Sequence, residues 1–164
     1  MDQIIKYLNC FADGRNYAGK IDSVTPPVLT RLVEEYRAGG MSCPIDIDMG
    51  IEKMEASFVL SAYDRHVVAL WGNGSDIALV FRGAAQSRDG TVLPVVLTMR
   101  GLITTLDRGD WTAGEKATLT ATMSLAYYQE KIGDDVIHDI DPVAMQSIVA
   151  GVDTMEPVRA ALGV

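Results

Sequence analysis

Residues 117–125 alternate without a break. Ala117, Leu119, Ala121, Met123 and Leu125 fall on one side, and Thr118, Thr120, Thr122 and Ser124 on the other. An α-helix would scatter the five apolar side chains around its circumference, whereas a β-strand gathers them on one face. The β-branched threonines are at ease in a pleated strand. This segment therefore calls for a sheet with one face on a core and the other small, polar and hydroxylated.

The same period recurs along the chain. Over 93–103, Leu93, Val95, Leu97, Met99 and Ile103 oppose Pro94, Val96, Thr98, Arg100 and Leu102. From residue 54 to 62, Met54, Ala56, Phe58, Leu60 and Ala62 oppose Glu55, Ser57, Val59, Ser61 and Tyr63. Shorter strands are expected over 8–12, 17–24, 29–37, 45–49, 77–85 and 127–132. Asp13-Gly14 and Asp89-Gly90 are strong hairpin signals. Longer tips are expected at 38–41 and 112–115, and Gly133-Asp134-Asp135 breaks the chain after residue 132. Only two helix signals stand out. Asp64 caps a short helix that runs through Trp71 and ends at Gly72-Asn73-Gly74. Thr154 caps a second over 155–162, with Pro157 in the first turn and Gly163 at the end. The expectation is one mainly-β domain over residues 1–164, a barrel or sandwich with one or two short helices.

Charge narrows the function. Lys and Arg number 14 against 22 Asp and Glu, a net −8. That excludes a protein that grips nucleic acid by neutralising phosphates, and a polybasic binder of membrane surfaces. No apolar run approaches a membrane span. Residues 1–6 lack the basic and apolar regions of a secretory leader, so a soluble protein of the cytosol is expected. Two cysteines, Cys10 and Cys43, do not make a disulfide framework.

Templates for catalysis and metal binding fail one by one. Asp46-Ile47-Asp48-Met49-Gly50 starts like a calcium loop, but its glycine is one position early and its twelfth residue is Ser57. Gly19-Lys20 leads into Ile21, which rules out a phosphate-binding loop, and Gly72-Asn73-Gly74-Ser75 lacks the spacing of a nucleophile elbow. The two imidazoles, His66 and His138, read as surface or structural groups. No catalytic residue, metal or cofactor is expected. Trp111, beside a glycine turn, reads equally as a partner contact or as a ring folded back on its own barrel.

One ordered set of segments resembles a known family. It begins with Glu34-Glu35-Tyr36-Arg37-Ala38-Gly39-Gly40-Met41 and Ile47-Asp48-Met49-Gly50. Phe81-Arg82-Gly83, Met99-Arg100-Gly101, Gly109-Asp110-Trp111-Thr112-Ala113-Gly114-Glu115-Lys116 and Tyr127-Tyr128 follow. Ile140-Asp141-Pro142-Val143, Gly151-Val152-Asp153 and Leu162-Gly163-Val164 complete it. From about residue 9 to the end, the set resembles the major tail tube protein of contractile-tailed bacteriophages. It is especially similar to the tube protein of R-type pyocins, which are headless, tail-like bacteriocins.

The resemblance implies a β-barrel subunit that closes into six-fold rings, which stack into a tube inside a sheath. Two long hairpins, 29–37 with 45–61 and 93–106 with 116–131, would join those of neighbouring subunits into one barrel around a channel. Their tips, 38–44 and 107–115, would hold subunit and ring-stacking contacts through Arg37, Gly39, Gly40, Met41, Asp110, Trp111 and Gly114. Asp46, Asp48, Thr118, Thr120, Thr122 and Ser124 would face the lumen; for Glu34 and Glu35 the pattern does not choose. Implied partners are further copies of the chain, a sheath protein, a tape measure protein, a baseplate hub or tube initiator, and a tail terminator. The particle would be assembled in the host bacterial cytoplasm and would reside in the virion. DNA would pass through the lumen without specific binding, and six chains at −8 each bring about −48 to one ring, a field that repels phosphate. In a bacteriocin the same tube would carry no DNA. The cysteines depart from the family pattern: Cys10 and Cys43 read as two inert thiols or, with Cys43 near a tip, as an inter-subunit disulfide to Cys10 of a neighbour.

Overall fold

A computed structural model describes residues 3–164; Met1 and Asp2, the start of the leader reading, lie outside the described residues. The alternating segments all become strands. In chain order these are β1 (Ile4–Ala12), β2 (Arg15–Asn16), β3 (Ile21–Thr25), β4 (Arg31–Tyr36), β5 (Ile45–Ile51) and β6 (Glu55–Leu60). After helix α1 (Arg65–Leu70) come β7 (Ile77–Gln86), β8 (Val92–Asp107), β9 (Leu119–Ile132), β10 (Asp135–Asp141), β11 (Gln146–Val149), β12 (Val152–Asp153) and helix α2 (Glu156–Leu162).

The long strand β9 organises the sheet. Its first half pairs with β6 on one side and β8 on the other; its second half keeps β8 and exchanges β6 for β10. Beyond β8 lie β7, β1 and β2, and beyond β6 lies β3. All ladders are antiparallel, and β1 returns alongside β3 without a ladder, so strands β3-β6-β9-β8-β7-β1 wrap into an almost closed barrel. Phe58, Leu60, Leu79, Phe81, Met99, Leu119 and Met123 fill it, each fully buried. Each such side chain contributes about 1.5–3 kcal/mol relative to exposure. Phe58 and Phe81 pack with ring centroids 5.7 Å apart.

Helix α1 supplies Val67 to this core and starts as expected: the Asp64 carboxylate accepts from the His66 backbone N–H at 2.8 Å. Helix α2 begins one residue later than expected, and Thr154 does not cap it. Its hydroxyl donates to the Ser147 carbonyl at 3.0 Å, tying the chain to β11, and Met155 takes the cap position with no side-chain bond. Arg159 then pins the helix, donating to Asp153 at 2.6 Å and to the Met145 carbonyl at 2.7 Å. Gly163 ends it in the left-handed region, φ 75°. The expected chain break at Gly133 is a hairpin turn from β9 into β10.

Two bulges shift the sheet's phase. Between Arg100 and Gly101, β8 steps one residue against β9; between Ile103 and Thr105 it steps again. The second step turns Leu106 inward, where plain alternation from Ile103 would have put Thr105.

Candidate assembly surfaces

β4 and β5 form a two-stranded sheet of their own, detached from the barrel. Every residue of both strands is exposed. Such a ribbon is marginal in water by itself, and one of its faces is apolar. Register sorts the side chains. Glu35 lies opposite Asp46 and Val33 opposite Asp48, so these share a face; Glu34 lies opposite Ile47 and Tyr36 opposite Ile45, so these share the other. Glu35 therefore joins the acidic face with Asp46 and Asp48, while Glu34 stands among Leu32, Tyr36, Ile45 and Ile47. Gly50, at φ +108°, carries the bulge that lets three residues of β5 span two of β4 and sets Ile51 opposite Arg31, which alternation along β4 places on the acidic face. There Arg31 pairs with Asp48, whose other oxygen accepts from the Gly50 N–H at 2.9 Å. Both oxygens of this calcium-loop-like aspartate are thus taken by the chain itself.

The ribbon's tip holds Arg37, Gly39, Gly40 and Met41. The Met41 N–H donates to the Ala38 carbonyl at 3.2 Å, and Gly40 takes φ +93° to make the turn. Arg37 Nε reaches the Met41 carbonyl at 3.4 Å. Cys43 is exposed beside them, whereas Cys10 is only 1% exposed inside the barrel, and burial pushes its thiol up to about 12. A bond from Cys10 to a neighbour's Cys43 would require that core to open.

The second surface is the outer, polar side of the barrel sheet. Thr120, Thr122 and Ser124 of β9 lie beside Val59, Ser57 and Glu55 of β6, and beside Asp107, Thr105 and Leu102 of β8. Ser57 in turn faces Thr25 of β3. The result is a face across four strands that carries hydroxyls and the carboxylates of Glu55 and Asp107, interrupted by Val59 and Leu102. Thr118 lies just before β9, outside the ladder. In the tip that follows β8, the Gly109 N–H donates to Asp107 at 2.8 Å, and Glu115 N–H to the Thr112 carbonyl at 3.1 Å, with Gly114 at φ +86°. Asp110 and Trp111 project from this tip. Trp111 meets Tyr63 edge-on, centroids 5.6 Å apart, yet stays 72% exposed. It both touches its own barrel end and presents a free ring.

The ribbon and the barrel enclose a cleft of about 640 Å³. Arg31, Asp48 and Ile51 line it on the ribbon side, and Met54, Leu125, Ile140, Met145 and Val158 on the other. Asp48 thus borders a cleft floored by Leu125, while Ser124, the next residue, points to the opposite side of β9. One chain alone does not bring the acidic ribbon face and the threonine face together. His66 bonds Arg15 at 2.9 Å and His138 bonds Glu130 at 2.9 Å, both as local structural contacts.

The family described as phage tail tube protein FII matches residues 2–163. The tail tube protein of Escherichia phage P2 is 30% identical over 171 residues, spanning 99% of this chain and 98% of that protein. The major tail tube protein of Serratia phage KSP20 is 31% identical over 139 residues, 84% of this chain and 81% of that one. Among solved structures, a chain of the sheath–tube complex of an extracellular contractile injection system superposes with a TM-score of 0.62 at 10% identity, over 79% of this chain and 91% of that chain. A chain of the anti-feeding prophage tube-terminating cap gives 0.60 at 15% identity, over 80% and 92%.

Proposed function

The chain belongs to the phage tail tube protein family, and we propose that its copies close six to a ring and stack into the hollow core of a contractile tail. It is a structural component of the virion. Its work is assembly: it polymerises, templates a sheath around itself, and is driven into the host envelope as a conduit, with no covalent chemistry. The observation that carries this reading is the detached β4–β5 ribbon. Among the described residues nothing covers its apolar face, and a second copy is the partner that a polymerising subunit always has at hand.

Sheath, baseplate hub or tube initiator, tail terminator and tape measure protein are the partners of such a tube. The fold shared with chains of a sheath–tube complex and a tube-terminating cap supports the sheath and the terminator. The threonine face with Asp107 and Glu55, joined by Glu35, Asp46 and Asp48 from the ribbon, lines the channel. A hydroxylated, acidic wall offers phosphate no partner, so DNA slides through without binding. The tips at Arg37–Gly39–Gly40–Met41 and Asp110–Trp111–Gly114 make the contacts between subunits and between stacked rings.

Negative-stain electron microscopy of the purified chain at high concentration tests the reading. Hollow tubes or stacked rings are expected, and a chain that stays monomeric refutes it. A second reading, the needle of a headless injection particle, draws on the solved neighbours, which come from injection systems. Packaged DNA in particles containing this chain supports the first reading, and particles without a head or DNA support the second.

A further inference from the structure

The chain holds three asparagines, Asn9, Asn16 and Asn73, and the fold treats them differently. Asn73 stands between Gly72 and Gly74, in the segment that leaves α1 and enters β7 at Ile77. Residues 71–76 are all exposed. Gly72 and Gly74 take φ +86° and +66°, and a Cβ at either would meet nothing within 4 Å. Among the described residues no hydrogen bond holds the Asn73 side-chain amide or the Gly74 N–H. The segment is tied at its two ends, both on β8. The Trp71 indole donates to the Thr104 carbonyl at 3.3 Å, and Ile77 joins the β7–β8 ladder opposite Gly101.

We propose that Asn73 is a site of spontaneous modification, at which the chain's own backbone turns the amide into a carboxylate. The Gly74 nitrogen attacks Cγ of Asn73. An N–Cγ bond forms, the Cγ–Nδ2 bond breaks, and Nδ2 leaves as ammonia with the proton from Gly74. The product is a succinimide ring, and water then adds to one of its two carbonyls. Cleavage between the Gly74 nitrogen and Cγ leaves aspartate. Cleavage between that nitrogen and the main-chain carbonyl carbon leaves isoaspartate, with the chain rerouted through Cγ and longer by one carbon. Nothing is oxidised or reduced, and water is the only co-reactant. Glycine is the neighbour this step needs, because without a Cβ its nitrogen is open to close approach and its backbone can swing toward the side chain.

The rest of the chain supplies the contrast. Asn9 lies in the β1–β7 ladder opposite Arg82, its Oδ1 accepting from the Cys10 N–H at 2.8 Å. Asn16 Oδ1 accepts from the Ala18 N–H at 2.9 Å, and the Tyr17 N–H, on the nitrogen that would attack, donates to the Cys10 carbonyl at 2.8 Å. Asp13-Gly14 and Asp89-Gly90 also precede glycine, but a carboxylate is a poorer electrophile than an amide. At the second of these both reacting groups are engaged as well: the Asp89 carboxylate accepts from the Thr91 N–H at 3.0 Å, and the Gly90 N–H donates to the Ser87 carbonyl at 3.1 Å. Asn73 alone joins an amide, a following glycine and open space. Each event adds one negative charge to a chain at −8 and, by the isoaspartate route, lengthens a loop whose ends are fixed.

The test uses dilute, freshly purified full chain in mildly alkaline buffer at physiological temperature. The free chain carries all the chemistry, so the outcome is independent of whether copies assemble. Peptide mapping by mass spectrometry follows each asparagine, and an isoaspartyl methyltransferase with a labelled methyl donor counts isoaspartate. Asn73 should convert more than about tenfold faster than Asn9 or Asn16, which react only in locally opened states. Its rate should stay within about tenfold of its rate in urea, because the fold does not guard it. Isoaspartate should accumulate at Asn73, and an Asn73→Gln chain, whose longer side chain must close a larger ring, should stay free of it. Conversion of Asn73 no faster than of Asn9, or strong protection relative to urea, overturns the proposal. Aspartate without isoaspartate means direct hydrolysis and overturns the ring step, and isoaspartate that persists in Asn73→Gln places the reaction elsewhere. Mapping of the wild-type chain decides even where Asn73→Gln fails to fold.

Discussion

Gly101 should be the least replaceable glycine in the chain. It sits at the bulge where β8 steps against β9 and faces Leu125, and it is buried. A Cβ at this position would overlap the Ser124 carbonyl oxygen and lie 2.9 Å from the Leu125 Cα. Both obstacles are backbone, so no rotamer change relieves them, and the strands must part. Overpacking of a tight site costs about 1–3 kcal/mol, and a backbone-on-backbone clash belongs at the top of that range. Parting β9 there also strains the Leu125 N–H to Met54 carbonyl bond, 2.9 Å long, which joins β9 to the chain entering β6. Loosening it adds about 1 kcal/mol. Gly101→Ala should therefore lose about 3–4 kcal/mol, which for a chain of this size lowers Tm by about 6–16 °C. Urea unfolding and calorimetry measure it. Gly39→Ala is the control: a Cβ there meets nothing within 4 Å and the residue is not left-handed, so stability should not move. Gly101→Ala within about 0.5 kcal/mol of wild type would refute the argument that this close approach is real.

Other perturbations probe the remaining links. Glu35→Lys with Asp46→Lys replaces one like-charged cross-strand pair by another and spares the Arg31–Asp48 pair; tubes should still assemble, and DNA ejection, followed by dye release from particles, should slow roughly tenfold as lysines hold phosphate. Unchanged ejection would place this face away from the channel. A thiol reagent should titrate one cysteine per folded chain, Cys43, with Cys10 reacting only on unfolding; two fast thiols would contradict the burial of Cys10. The Arg159 hydrogen bond, with backbone N–H groups of Met155 and Ser147, holds the Asp153 carboxyl below the usual carboxylate range. Its contribution is complete above the unfolded carboxylate pKa of about 4 and is lost as pH falls through the lower folded value. Asp153→Asn should lower Tm at pH 7 and make no difference once acid has protonated the wild-type group; an equal deficit at both ends would refute the linkage.

What the sequence made legible, and what it hid, divides along a physical line. Period two is robust because a strand has only two faces, so Leu119, Ala121, Met123 and Phe58 could be placed inside from spacing alone, and all are buried. A bulge offsets that period by one residue and leaves no mark in composition, so the inward turn of Leu106 and the polar placement of Thr105 and Asp107 were not readable. Glycines mark two other bulges: at Gly50 a left-handed φ strains a side chain, and at Gly101 a carbonyl leaves no room for one. β10 and β11 escaped because Val136, Ile137, His138 and Asp139 are all half-buried, so neither face is clean enough to alternate. Thr154 looked like a cap, but a hydroxyl satisfies whichever backbone group lies nearest, and here that is the Ser147 carbonyl.

The most informative disagreement concerns burial itself. Ile45 and Ile47 alternate with Asp46 and Asp48 as cleanly as Ala121 and Met123 alternate with Thr122. The same physics assigns both sets to an interior. Ala121 and Met123 are fully buried, while Ile45 and Ile47 stand 52% and 43% exposed. Local pattern and tertiary structure normally agree in a chain that folds to one state. Where they part in an otherwise well-packed domain, the missing interior must come from outside the chain. An amphipathic ribbon held off its own barrel is therefore the part of the sequence written for the assembly.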